Sequence, residues 1–162
     1  MGFKSILVPL DGSLLAEHAM DYARQIANPE TVLHLLSVIE ADRAVEFAQI
    51  GGMFGPVAGA TSYSPAYLQG LFNPVEIKHR ESYMRELGDK LQVDGCKVSQ
   101  QITCGLAAKT ILDVAEKQNV DVIVMATHGR TGVSRLVLGS VAESVLHNAP
   151  CPVLIIPVRV TA

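Results

Sequence analysis

No run in this sequence is apolar for long enough to cross a bilayer, which takes about 20 consecutive apolar residues. No Cys-x-x-Cys pair occurs. Cys96, Cys104 and Cys151 are odd in number, which argues against a disulfide framework and fits a reducing, cytosolic compartment. Basic charge is not in excess. A formal net charge of −3 supplies no field for nucleic acid or for an anionic membrane. The opening Met-Gly-Phe-Lys-Ser leads straight into an apolar strand, so no signal peptide is expected. Ile6 stands where a myristoylation motif needs Ser or Thr.

Signatures of catalysis are missing as well. There is no Gly-x-Ser-x-Gly elbow, no His-x-x-x-His metal pair and no Gly-Lys-Ser/Thr phosphate loop. Neither His-x-Gly-His nor Ser-Gly-Gly-x-Asp-Ser, marks of adenylyl transfer in α/β folds, is present.

What is present suits one globular domain: 162 residues, 49% hydrophobic and 18% charged. Ile6-Leu7-Val8 reads as a strand, ended by Pro9, which has no N–H. Asp11-Gly12-Ser13 turns the chain, and Ser13 is placed to cap a helix running to about Ala27. Thr31–Ile39 is a second strand. Residues 40–73 are punctuated by Gly51-Gly52, Gly55-Pro56, Gly59, Ser64-Pro65 and Asn73-Pro74, with aromatic residues between. They read as a long inserted loop, either packed on a neighbouring surface or left as a disordered flap. A helix is predicted from Pro74 to Val93. Cys96–Thr103 follows as a half-exposed edge strand, then a helix after Gly105.

The densest information lies between Asp121 and Pro157. Val122–Met125 is a strand buried on both faces. A loop containing Gly129, Arg130, Arg135 and Gly139 leads to Ser140-Val-Ala-Glu143, which spells a capping box, and Val153–Ile156 is a last buried strand. Strand, glycine-containing loop and helix start read either as a site for a phosphate-sized anion or as a well-capped helix after an ordinary βα loop, with its arginines in solvent. Orphan N–H groups and the helix dipole favour negative charge, glycine lets backbone approach closely, and arginine adds donors. Five strands alternating with four helices mean a single doubly wound α/β domain with a parallel sheet.

Gly129, nine residues, then Gly139-Ser140 resembles the nucleotide-binding signature of the universal stress protein family, Gly-x-x-Gly, nine residues, Gly-Ser/Thr. Leu-Gly-Ser-Val-Ala-Glu and Ala-Pro-Cys-Pro-Val-Leu-Ile are similar to that family too. The resemblance covers nearly all of residues 1–162 except 40–73. It implies strand order 3-2-1-4-5 and an ATP-binding, cytosolic, dimeric stress-adaptation protein. Pro9, Leu10, Asp11, Val38, Met125 and Ala126 would then hold adenine and ribose. His128, Gly129, Arg130, Gly139, Ser140 and Val141 would surround the phosphates, with Mg²⁺ held through them and no protein metal ligand. Two alternatives stay open. Asp11 is a ligand for ribose or adenine, or simply the residue that makes an Asx-turn. Ala126 stands where the signature has its first glycine, so the chain either binds ATP or has become an interaction module without nucleotide. At most, slow ATP hydrolysis is expected. The dimer implied by the resemblance pairs Val153, Leu154, Ile155 and Ile156 with the same strand of a second copy. The downstream protein partner is not readable.

Overall fold

The computed structural model describes residues 2–40, 74–93, 95–127 and 138–157. Among these the order is β1 (Ser5–Pro9), α1 (Leu14–Ile26), β2 (Val32–Ile39), α2 (Pro74–Val93), β3 (Lys97–Cys104), α3 (Ala107–Lys117), β4 (Val122–Ala126), α4 (Ser140–Asn148) and β5 (Val153–Ile156). All five strands are parallel, in the order β3-β2-β1-β4-β5. The inserted loop predicted at 40–73 lies outside the described residues, except for Glu40.

The sheet is covered on both faces, which explains why its strands read as unbroken apolar runs. Successive side chains of a strand point to opposite faces. Ile6, Val8, Leu33, Leu35, Val122 and Val124 face one layer, where they meet Ala16, Ala19, Met20 and Ala23 of α1 and Met84, Leu87 and Leu91 of α2. Leu7, Leu36, Ile123 and Met125 face the other. There they meet Ile111, Val114 and Ala115 of α3 and Ala142 and Val145 of α4. Ile6, Leu7 and Val8 of the central strand are wholly buried. β3 is an edge strand with an exposed start, as its alternating sequence implies.

Ser13 does cap α1: its hydroxyl accepts from the Ala16 N–H at 3.2 Å. Two local expectations are corrected. Pro9 does not end the strand ladder, because the Leu10 N–H still donates to Leu36 O at 2.7 Å. Alternate residues of a strand address alternate neighbours, so the N–H that Pro9 lacks would have pointed at β4. The β1–β4 pairing indeed stops at Leu7 opposite Ile123, while β1–β2 pairing runs on to Pro9. The capping box at Ser140 is also absent. Gly139 is the N-cap of α4, and Ser140 is already its first helical residue, with no side-chain capping bond. The reason is the path of the chain: the Gly139 N–H is tied to Thr127 O, and the Glu143 N–H closes the first turn onto Gly139 O, both at 2.8 Å.

His34, on β2, keeps Nδ1 buried and, among the described residues, without a hydrogen-bond partner, and burial pushes its pKa below the ordinary 6.5. The native state therefore resists protonation more than the unfolded chain does. Its contribution to stability is complete above pH 6.5 and is lost as pH falls toward the lowered native value. His34→Leu should flatten this part of the profile. Denaturant unfolding from pH 7.5 down to 5 should show wild type losing stability relative to the variant, and parallel curves would reject the assignment.

Candidate functional site

The strand order reverses between β1 and β4. After β1 the chain passes to α1 on one face of the sheet, and the helix after β4 lies on the other. Connections that part in this way leave a crevice beyond the carboxyl ends of the strands. A cavity of about 400 Å³ occupies that place. Its size falls within the usual range for small-molecule sites.

Nine of the twelve residues singled out from the sequence line this one cavity: Pro9, Leu10, Asp11, Val38, Met125, Ala126, Gly139, Ser140 and Val141. His128, Gly129 and Arg130, with Arg135 of the same loop, lie outside the described residues. Val38, Ile39, Ile111 and Met125 give the cavity apolar walls, and Asp11, Glu40 and Arg80 bring charge to it. Glu40, Arg80, Ala107, Ile111 and Thr127 were not foreseen as lining residues. The signal for Arg80 was its position four residues before Met84, on the apolar stripe that continues through Leu87 and Leu91.

Asp11 shapes the floor. Its Oδ1 accepts from the Ser13 N–H at 2.9 Å and from the Ser13 hydroxyl at 2.6 Å, so it does build the Asx-turn. Gly12 has a φ of +85°, a conformation that favours glycine. Ser37, wholly buried, donates its hydroxyl to Leu10 O at 2.9 Å and ties β2 to the end of β1.

The opposite wall is the start of α4. The first N–H groups of a helix have no intrahelical partner, and here no side chain caps them. Among the described residues no side-chain acceptor takes the place of the capping box, and the helix dipole points its positive end at the cavity. Ala126 is an ordinary strand residue paired with Ile156, and its φ is not positive. The backbone there accepts alanine without strain, so the methyl group matters only through the space it fills. Among the described residues no group of three His, Cys, Asp or Glu side chains is placed to hold a metal ion. A magnesium ion carried by a polyphosphate would need no such group, since it can be held through the phosphates.

Fold and crevice together define a doubly wound α/β protein with a small-molecule cavity at its switch point. The chain belongs to the universal stress protein family, whose sequence profile it matches over residues 2–157. It is 31% identical over 156 residues to Universal stress protein MJ0577 of Methanocaldococcus jannaschii, covering 95% of this chain and 94% of that one. The solved structure of MJ0577 superposes with a TM-score of 0.77 at 25% identity, over 99% of this chain and 100% of the other. A more distant neighbour, a universal stress protein from Archaeoglobus fulgidus solved in complex with dAMP, shares the fold. Its TM-score is 0.64 at 15% identity, over 96% of this chain and 98% of that one.

Proposed function

We propose that this protein binds ATP in the crevice and acts as a cytosolic, dimeric regulatory protein of stress adaptation. The observation that carries the reading is the pairing of a cavity with both apolar and charged walls, at the ends of β1, β2 and β4, with a helix start that has no side-chain cap among the described residues. An adenine would lie against the walls made by Val38 and Met125. Asp11 uses Oδ1 on Ser13, leaving Oδ2 to accept from ribose or from the adenine amino group. Phosphates would lie at Gly139, Ser140 and Val141, where backbone N–H groups and the dipole meet them. Magnesium would come with the phosphates. The dAMP held by the Archaeoglobus relative supports a nucleotide as the ligand class.

A second reading rests on Ala126: the crevice is retained, but the protein works as an interaction module without nucleotide. Turnover is at most slow. Charge neutralisation at the phosphates alone would accelerate hydrolysis only modestly. Among the described residues no helix is long and apolar enough to cross a membrane.

The dimer of this reading forms at β5. This strand pairs with β4 on one side and, among the described residues, with nothing on the other. Val153 and Ile155 pack on the protein's own α3–α4 layer, whereas Leu154 is exposed, at 37%. An open apolar edge favours pairing with a two-fold mate.

Nucleotide released from freshly purified protein should be identified by mass spectrometry as an adenine nucleotide. Wild type that carries none, and binds no ATP, ADP or AMP by calorimetry, would establish the second reading instead. Gly139→Val places a branched side chain where a phosphate oxygen should lie. It should lower ATP affinity at least about 100-fold while costing the helix cap only about 1 kcal/mol of stability. Unchanged affinity in the folded variant would remove Gly139 from the site. Ala126→Gly should bind ATP as well as wild type or better, since it only enlarges the crevice; weaker binding in calorimetry would show that the methyl group contributes a contact. Leu154→Lys should convert a dimer at micromolar concentration into monomer in sedimentation equilibrium, and a wild-type monomer would dispose of the β5 interface.

A further inference from the structure

Arg80 breaks the pattern of the helix that carries it. Residues 80, 84, 87 and 91 lie on one face of α2, and Met84, Leu87 and Leu91 are core residues. The fourth position on that face is a guanidinium only 6% exposed. Its Nη1 is fully buried and, among the described residues, has no hydrogen-bond partner. An arginine stays charged at any ordinary pH, so burial cannot neutralise it as it would a lysine. A buried cation without an acceptor is costly, and such groups are found paired unless something outside the chain supplies the partner.

The open direction is the cavity, which Arg80 lines. The helix enters from the carboxyl end of the sheet, because α2 follows β2 and returns to begin β3. Arg80, in its second turn, is thereby delivered to the crevice. A Cβ added at Gly12 would come within 3.3 Å of Nη1, so the guanidinium lies over the turn that follows Asp11. Carboxylates stand near but do not bind it. Among the described residues neither Asp11 nor Glu17 makes an ion pair with Arg80. Tyr83, one turn on, has a buried hydroxyl that lies near Glu17 but outside hydrogen-bond geometry. Burial, then Glu17 and Asp11, hold its pKa well above the ordinary value. Arg80 is buried and Asp11, Glu17 and Tyr83 are half-buried around it, and of the four Asp11 and Arg80 line the cavity.

We infer that Arg80 is a ligand-binding residue, donating to an acceptor on the nucleoside monophosphate portion of the nucleotide. This rests on the ATP-binding reading and deepens it. The guanidinium sits at the Asp11–Gly12 side of the crevice, whereas the free N–H groups that suit the terminal phosphates belong to α4. Arg80 and the free oxygen of Asp11 offer a donor beside an acceptor, a combination that a nucleoside can answer and a bare polyphosphate cannot. Arg80 is held by packing within the fold, at 6% exposure.

The test uses the full chain and Arg80→Met, which keeps the length and apolar stem of the side chain. Thermal unfolding without ligand should give a midpoint equal to or above wild type, because an unpaired buried charge has been removed. Calorimetric affinity should fall about 10- to 100-fold, and by the same factor for ATP, ADP and AMP. A structural arginine that merely neutralises Asp11 and Glu17 gives the reverse: a lower midpoint and unchanged affinity. A loss confined to ATP would place Arg80 on the terminal phosphate and overturn the assignment too. Should Arg80→Met fail to fold, Arg80→Lys retains the charge without the planar fork and should still bind ATP several-fold more weakly. Binding equal to wild type in that variant overturns the inference. Wild type that binds none of the three nucleotides defeats the ATP reading itself, and this inference with it.

Discussion

The separation of β1 from β4 governs the whole molecule. Their pairing covers two residue pairs and stops at Leu7 opposite Ile123, while β1 stays bound to β2 as far as Leu10. Pro9 has no N–H to offer β4, and the helices that follow the two strands cover opposite faces. The sheet therefore stays closed through its fully buried centre, Ile6 to Val8, and opens at its carboxyl edge. Every lining residue owes its position to that opening. The site needs no special loop to exist, only a sheet whose central strand changes neighbours where the order reverses.

The two walls of the crevice offer different chemistry. On the β4 side, helix α4 begins at a glycine and leaves its first N–H groups uncapped. A capping side chain would stabilise the helix by about 1 kcal/mol. Its absence leaves the helix start without a side-chain acceptor among the described residues, and the glycine adds no side chain there. On the β1 side the chain is fully satisfied at the turn itself. Asp11 binds Ser13, Ser13 caps α1, and Ser37 fastens the end of β1 to β2. One wall is thus internally bonded at its turn and the other begins at a helix end with no side-chain cap among the described residues.

Arg80 departs furthest from a pure core. A methionine or leucine would continue the α2 stripe and pack against the same layer as Met84 and Leu87. A charge held there, without a partner, opposes stability, and such conflicts between packing and polarity collect at functional sites. Its location beside the crevice, rather than at the far end of the helix, is what gives the conflict meaning.

Local chemistry in the chain itself determined much of this. Apolar runs long enough for buried strands, separated by helical stripes, specify a doubly wound α/β sheet. Alternation in Lys97–Cys104 marks an edge, and Ser13 after Asp11-Gly12 marks a helix start. Pro9, Leu10, Asp11, Val38, Met125, Ala126, Gly139, Ser140 and Val141 could be placed at strand ends and at a helix start by position along the chain, and they do share one cavity. Tertiary structure alone decided the rest. Ser140-Val-Ala-Glu143 has the same spelling whether Ser140 caps the helix or begins it. The hydrogen bond from the Gly139 N–H to Thr127 O, between residues far apart on the loop, settled which. Leu154 rather than Ile155 is the exposed residue of β5, because the facing of an edge strand depends on which layer its neighbours cover. Arg80 is an ordinary polar residue when read along α2. It becomes a buried cation whose Nη1 has no partner among the described residues only when α2 is laid over the turn at Gly12, for burial belongs to the packed molecule and not to the residue.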